Sequence, residues 1–284
     1  MTVLATERAP AKINLCLFLG PTRADGRHEL VTLFDSIELA DELEVAAAAA
    51  DEVVCEGVDG PNLVADALSA LRAIGWAAPP VRVRIRKRIP VAAGMGGGSA
   101  DAAAMLRCAP RFAPVDPVVV AGIAARLGAD VPGQLRPGPS LGTGAGEIVA
   151  PLVRVGPYGL LVLPQRFPLA TRAVYREADR LGTARSQGRL ETLAVKLKGR
   201  LPDRLVNDLE PAALSLAPQI GTAIARARGA GADDAIVCGS GPTVIGVFRG
   251  EDGARRAELA VAKLGEGFSV APIRAGVGDS APND

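Results

Sequence analysis

Residues 81–108, VRVRIRKRIPVAAGMGGGSADAAAMLRC, pass from strict alternation through a proline and four glycines into an alanine-rich run. Val81, Val83 and Ile85 fall on one side and Arg82, Arg84 and Arg86 on the other, the pattern of a half-buried strand. A helix is expected from Ser99 to Cys108. Between them Gly94, Gly96, Gly97 and Gly98 carry no side chain, so the backbone can take positive φ and be approached closely. A helix N-terminus presents unpaired N–H groups and the positive end of its dipole. Strand, glycine loop and helix start therefore make a candidate anion cradle, with a ligand-free glycine turn as the plain alternative. The loop is neither of two common phosphate loops. No lysine follows the glycines, and the third glycine of a G-x-G-x-x-G pattern falls on Ser99. Asp101 is expected in the first turn, where it favours the dipole. Beside a phosphate it would need a cation or an outward side chain. The arginine stripe is expected to be a solvated face rather than a phosphate track.

Similar elements recur along the 284 residues, a length for one large domain or two ordinary ones. Residues 11–20 read as a strand with Ile13, Leu15, Leu17 and Leu19 on one face and Lys12 and Asn14 on the other. Residues 23–30 read as a polar loop holding His28, and 37–45 as a strand. Helices are expected over 62–75, capped by Asn62, and from Asp116 and Pro117 to Gly128. Further strands are expected at 156–164, 235–248 (broken by a glycine loop) and 268–275. Further helices are expected near 171–181, 189–199, 207–216, 218–228 and 252–265. This predicts a two-lobed α/β or α+β protein, divided near 150–156 into domains 1–154 and 155–284.

Bulk chemistry excludes several classes. Net charge is +1, so no field draws the chain to nucleic acid or membrane, and neither partner is expected. His28 is the single histidine, which rules out multi-histidine metal sites and forces any Ser-His-Asp triad through it. Cys16, Cys55, Cys108 and Cys238 form no C-x-x-C pair and are expected to be reduced thiols in the cytoplasm. The first twelve residues lack the pattern of a signal peptide. A monomer and a homodimer are both compatible with the sequence.

Three motifs then occur in a telling order: PAKINLCL (10–17), PVAAGMGGGSA (90–100) and GSGPT (239–243). They resemble the three motifs of the GHMP kinases, small-molecule kinases that use ATP. With ADGRHEL (24–30), GADVP (128–132) and LGTGAGE (141–147), the chain is most similar to those GHMP kinases whose alcohol substrate carries a cytidyl diphosphate on the non-mevalonate isoprenoid route. The match runs from about residue 9 to 248. The resemblance implies an α+β fold with a ribosomal-protein-S5-like N-terminal lobe and a ferredoxin-like C-terminal lobe. It implies ATP and Mg²⁺ as cofactors and a small-molecule substrate.

It also implies roles. Pro90, Val91, Ala92, Ala93, Gly94, Met95, Gly96, Gly97, Gly98, Ser99 and Ala100 would form the nucleotide loop, with Ser99 a candidate contact for Mg²⁺ and no separate metal cage. Asp130 would be the base, where residues alone also allow it to cap the following turn. Lys12 would lie beside it and help stabilise the developing alkoxide. Asn14 would contact substrate, and His28 would meet the cytosine edge. Tyr175 would cover the base from the other lobe, or else simply pack in the core. Two departures stand out. Arg27 replaces a tyrosine that stacks on cytosine, though a planar guanidinium can also stack. Gly133 and Gln134 replace bulky apolar residues, and Pro139-Ser140 a Gly-rich pair, which is expected to loosen the hold on Asp130. Another GHMP kinase, acting on mevalonate, homoserine or a sugar, is the nearest alternative. A non-catalytic binding module is a further one.

Overall fold

The computed structural model describes residues 3–58, 60–91, 93–153, 156–197 and 201–273. The proposed division at 154/155 and Ala92 of the glycine loop lie outside the described residues. Two 20-residue strands, β1 (Val3–Thr22) and β2 (His28–Ala47), form an antiparallel hairpin that dominates the molecule. β1 lines one edge of β2. The other edge of β2 pairs with β4 (Val81–Arg86) near its end and with β5 (Ser140–Thr143) near its start. β3 (Glu52–Cys55) extends the sheet beyond β4, in parallel, and β6 (Ile148–Pro151) extends it beyond β5.

Helix α1 (Leu63–Ala73) crosses from β3 to β4, with the Asn62 side chain accepting from the Val64 amide as a cap. α2 (Gly97–Cys108), α3 (Pro117–Leu127) and the short α4 (Val131–Gln134) follow. Asp116 caps α3 through the Val118 amide. Val45, Val83 and Ile85 pack against α1, α2 and α3 in one core, as the alternation of β4 requires. The outward arginines are cross-strand ion pairs: Arg82 with Glu52, Arg84 with Glu56, and Arg86 with Glu42 and Glu44. The stripe is a solvated face, as expected.

The second sheet contains β7 (Tyr158–Leu163), β8 (Asp234–Val237), β9 (Val244–Arg249) and β10 (Phe268–Val270), in the antiparallel order β10-β7-β9-β8. Between β7 and β8 come α5 (Thr171–Leu181), α6 (Gln187–Lys196), α7 (Glu210–Leu216) and α8 (Ile220–Gly229). Helix α9 (Gly253–Leu264) joins β9 to β10. This is the split βαβ arrangement of a ferredoxin-like lobe. Leu160, Val162, Ile245 and Val247 face the β1–β2 hairpin, while Leu161, Leu163, Val244 and Phe248 face the helices. Burial on both faces explains why these strands read as continuous apolar runs. Several expected elements are shorter: β10 stops at Val270, α7 begins at Glu210, and α6 spans 187–196. No helix among the described residues is long and apolar enough to cross a membrane.

β1 does not keep one face. Its pairing shifts between Pro10 and Lys12 and again between Asn14 and Cys16. Ile13 and Leu15 enter the inter-lobe core, but after the second shift Cys16 and Phe18 take that side. Leu17 and Leu19 turn into the helical core of the second lobe. An extra residue in a strand reverses its facing, so a single-face reading of 13–19 fails.

The lobes are also tied by a buried polar contact. Tyr158 Oη donates to Asp35 Oδ2 at 2.6 Å, and the Ser36 amide donates to Oδ1 at 2.8 Å. Burial pushes the Asp35 carboxyl up to about 6 against the pull of these donors. The folded state therefore favours the neutral acid. That stabilisation is complete below about pH 4 and lost as pH rises through about 6. Removing the donor leaves a buried carboxylate short of a partner. Tyr158→Phe is expected to lower unfolding free energy by about 1–3 kcal/mol, with a larger loss at pH 8 than at pH 5. Urea unfolding at the two pH values checks this; equal losses would show that ionised Asp35 does not depend on Tyr158.

Candidate active site

The glycine loop lies at the crossing of the two lobes. Gly96 takes φ +67° and starts α2 at Gly97, two residues earlier than expected. No side chain caps this helix start, so its first amides point outward. Pro90, Val91, Ala93, Gly94, Met95, Gly96, Gly97, Gly98 and Ser99 line a cleft of about 410 Å³. Ala100 does not; it is fully buried in the first-lobe core. Cys55, Val58, Pro61, Asn62, Leu63, Lys87, Ile89 and Asp101 complete the cleft wall, and nothing in their spacing announces it.

The glycines serve different ends. A Cβ on Gly94 (φ +74°) would lie 2.9 Å from the Cys238 carbonyl and 3.0 Å from that of Gly241. The 90–100 loop and the GSGPT loop thus touch backbone to backbone. A Cβ on Gly96 would meet the Lys12 stem at 3.1 Å. A Cβ on Gly98 would meet nothing nearer than Leu63 at 3.8 Å. Gly98 keeps the cleft open, which suits an anion seated on the helix start.

Asp101 follows one turn later, and its side chain does not point outward. It is buried, and its Oδ2 accepts from Lys87 Nζ at 2.7 Å. Lys87 also pairs with the fully buried Asp41. Burial pushes the Asp101 carboxyl up to about 7 despite the lysine, and its Oδ1 has no hydrogen-bond partner. Lys87, held between Asp41 and Asp101, is what receives the carboxylate inside.

Lys12 leads a directional chain of donors. Its ammonium only donates, so Asn14 turns Oδ1 toward it, at 2.8 Å. Asn14 Nδ2 then donates to Thr32 Oγ1 at 2.8 Å, and Thr32 donates to the Cys16 carbonyl at 2.8 Å. No sequence motif marks Thr32 for this role. The Lys12 amide donates to the Met95 carbonyl at 3.0 Å, binding the strand to the glycine loop. Asp130 Oδ2 stands 3.4 Å from Lys12 Nζ, with the carboxylate half exposed. Its side chain does not cap α4, so the capping alternative fails.

The second lobe approaches the same place. His28, expected in a loop, is buried at the start of β2. Its Nδ1 lies 3.0 Å from the Gly20 carbonyl, which can only accept, so Nδ1 carries hydrogen. Nε2 is 3.2 Å from Asp179 on α5, and the Tyr175 ring centre is 5.6 Å from that of His28. Tyr175 also packs against the second-lobe core, so it serves both of its readings. Burial, with the Asp130 charge adding, pushes its phenol up to about 12. Arg27 is half exposed and holds Asp25 through Nε at 3.0 Å and Nη2 at 2.8 Å.

Gly133 and Gln134 are closely packed where they stand. A Cβ on Gly133 would overlap the Phe34 ring, so glycine lets α4 lie directly on β2. Gln134 is fully buried and hydrogen-bonded to β1.

Known proteins with this pattern agree in kind. Residues 62–138 match the GHMP kinases N terminal domain, and residues 187–267 match the GHMP kinases C terminal region. A protein of Anaeromyxobacter sp. (strain Fw109-5) named 4-diphosphocytidyl-2-C-methyl-D-erythritol kinase is 40% identical, across 90% of this chain and 86% of its own. One of the same name from Streptomyces coelicolor is 40% identical across 97% of each chain. The crystal structure of a 4-(cytidine 5'-diphospho)-2C-methyl-D-erythritol kinase superposes with a TM-score of 0.75. It is 34% identical and covers 94% of this chain and 99% of that one.

The glycines separate stability from site. Gly94→Ala is expected to lower Tm by roughly 4–8 °C, since strain and backbone overlap of about 2 kcal/mol shift a chain of this size by 2–4 °C per kcal/mol. Gly98→Ala is expected to leave Tm unchanged or raised, as alanine is the better helix former. Calorimetry on both variants decides; equal losses would mean that the open space at Gly98 is not free.

Proposed function

We propose that this chain, which belongs to the GHMP kinase family, transfers the γ-phosphoryl group of ATP to the 2-hydroxyl of 4-diphosphocytidyl-2-C-methyl-D-erythritol. The observation that carries the reading is the pairing of Lys12 with Asp130 beside an uncapped helix start, in a chain 40% identical to kinases named for that substrate. ATP, bound with Mg²⁺, would supply the phosphoryl group and the cation that offsets its charge. The residues present fit it: the open space at Gly98 and the outward amides of α2 suit phosphate oxygens. Among the described residues no group of three or more His, Cys, Asp or Glu could hold a metal, so Mg²⁺ would arrive on the nucleotide, with Ser99 in the first turn of α2 to touch it.

In this reading Asp130 receives the hydroxyl proton, and Lys12 stabilises negative charge on the acceptor oxygen. Asn14 fixes the ammonium, and any contact it makes with substrate would use the second hydrogen of Nδ2. His28 and Tyr175 meet the cytosine from opposite lobes, with Arg27 at the rim. The lobe boundary at 154/155 belongs to the same proposal. Substrate arrives by diffusion between the lobes, with no role for membrane or nucleic acid.

A coupled ADP-release assay with ATP and Mg²⁺ tests the reading, comparing the cytidyl compound with mevalonate, homoserine and galactose. Turnover is expected only with the first. Asp130→Asn is expected to lower kcat by about 10²–10⁴-fold. Turnover with another alcohol alone would keep the kinase and discard the substrate. Full activity of Asp130→Asn would remove it as the base.

A further inference from the structure

We infer that Gln134, with Gly133, is a latch that sets the separation of Asp130 from Lys12. The inference rests on the transfer site proposed above. Lys12 sits just past the irregular point of β1, where the ladder to β2 is interrupted between Pro10 and Lys12. A strand released from its ladder needs other partners to hold its position. One is the glycine loop, through the Lys12 amide and the Met95 carbonyl. The other is α4. Gln134 Nε2 donates to the Pro10 carbonyl at 3.2 Å.

That carbonyl can only accept, which fixes the orientation of the amide. Gln134 Oε1 then faces Ser36 Oγ on β2 at 3.5 Å, and Ser36 Oγ in turn accepts from the Gly138 amide at 3.0 Å. Arg107 on α2 donates to the Gln134 carbonyl and to the carbonyl of Arg8 on β1. α4 is therefore tied by its last residue to the strand that carries Lys12, two residues before it. Asp130 immediately precedes the same short helix. Gly133 completes the latch, because any side chain there would strike Phe34, the cross-strand partner of Asn14. Base, cation and the amide that orients the cation thus share one rigid frame. An apolar residue at 134 would fill the space without fixing the distance.

Gln134 touches no reacting atom in this arrangement; it is a positioning residue. Its loss should act on kcat and not on binding. Gln134→Met conserves volume while removing the donor. We expect kcat to fall by about 10-fold, since misplacement of a reacting group by a fraction of an ångström is costly, with KM for ATP and for the acceptor within about twofold. In an Asp130→Asn background the same substitution should cost nothing further, because it acts through Asp130.

Ser36→Ala, which removes the partner of Oε1 together with the acceptor of the Gly138 amide, should show the same pattern more weakly and stands in if Gln134→Met fails to fold. Unchanged kcat in a folded variant, a loss confined to KM, or a full additional loss in the Asp130→Asn background would overturn the latch. A crystal structure of the variant tests it without reference to substrate. Asp130 should move from its 3.4 Å contact with Lys12, and retention of that contact would sink the proposal even if the cytidyl compound proves to be the wrong acceptor. Failure of the wild-type enzyme on the cytidyl compound, with Asp130 displaced in the variant, would discard only the substrate reading.

Discussion

The ammonium of Lys12 is buried in the middle of the molecule, and a buried charge has to be compensated where it stands. Most of the surrounding architecture follows from that demand. Asn14 must turn its oxygen inward, which sends its nitrogen to Thr32 and so fixes the facing of β1 on β2 at that point. Asp130 must come within reach, which places α4 over the hairpin. Gly96 must lack a side chain, because the Lys12 stem runs beneath it. The requirements converge on one stretch of β1, where the ladder is interrupted and the strand is held from the glycine loop and from α4.

The hairpin that carries this site belongs to both lobes. Along β1 the side chains pass from the first-lobe core, at Ala9, through the inter-lobe core to the second-lobe helical core, at Leu17 and Leu19. The second lobe adds its own ties. Val206 accepts from the Leu17 amide, and Asp208 accepts from that of Leu19. Asp35 meets Tyr158, and residues 271–273 hydrogen-bond to Ser36 and Glu38 on β2. These ties hold the two lobes together by packed surfaces, and the His28 and Tyr175 rings meet with their centres 5.6 Å apart.

Two charged clusters of the first lobe differ in kind. Asp25, Arg27, Arg23, Glu29 and Glu147 form a partly exposed network, where each pair is screened and contributes little to stability. Asp41, Lys87 and Asp101 are largely buried beside the glycine loop, with Lys87 and Asp101 in the cleft wall, and Lys87 Nζ would lie 3.2 Å from a Cβ on Gly97. Such a cluster holds the helix start in place, because breaking any one member leaves another charge unpaired in the interior.

Local patterns are legible in the sequence wherever they depend on neighbours along the chain. Alternation in 81–86, the caps at Asn62 and Asp116, the glycine loop feeding a helix, and the order of three family motifs can all be read from residue types and spacing. The single histidine and the absence of paired cysteines limit the chemistry by counting alone. What tertiary structure decides are distances between remote residues. The reversal of β1 at Asn14–Cys16 arises from pairing with β2, and periodicity cannot register an extra residue whose partner lies twenty positions away. Asp101 turns inward because Lys87 and Asp41 are there to receive it. Gln134 reads as a loosening substitution in the sequence, yet its partner is the Pro10 carbonyl, 124 residues distant in the chain. Residue types and local spacing specify which groups are available and how each segment folds. Which of them meet is fixed only when strands and helices pack, since burial makes every polar group find a partner wherever in the chain that partner lies.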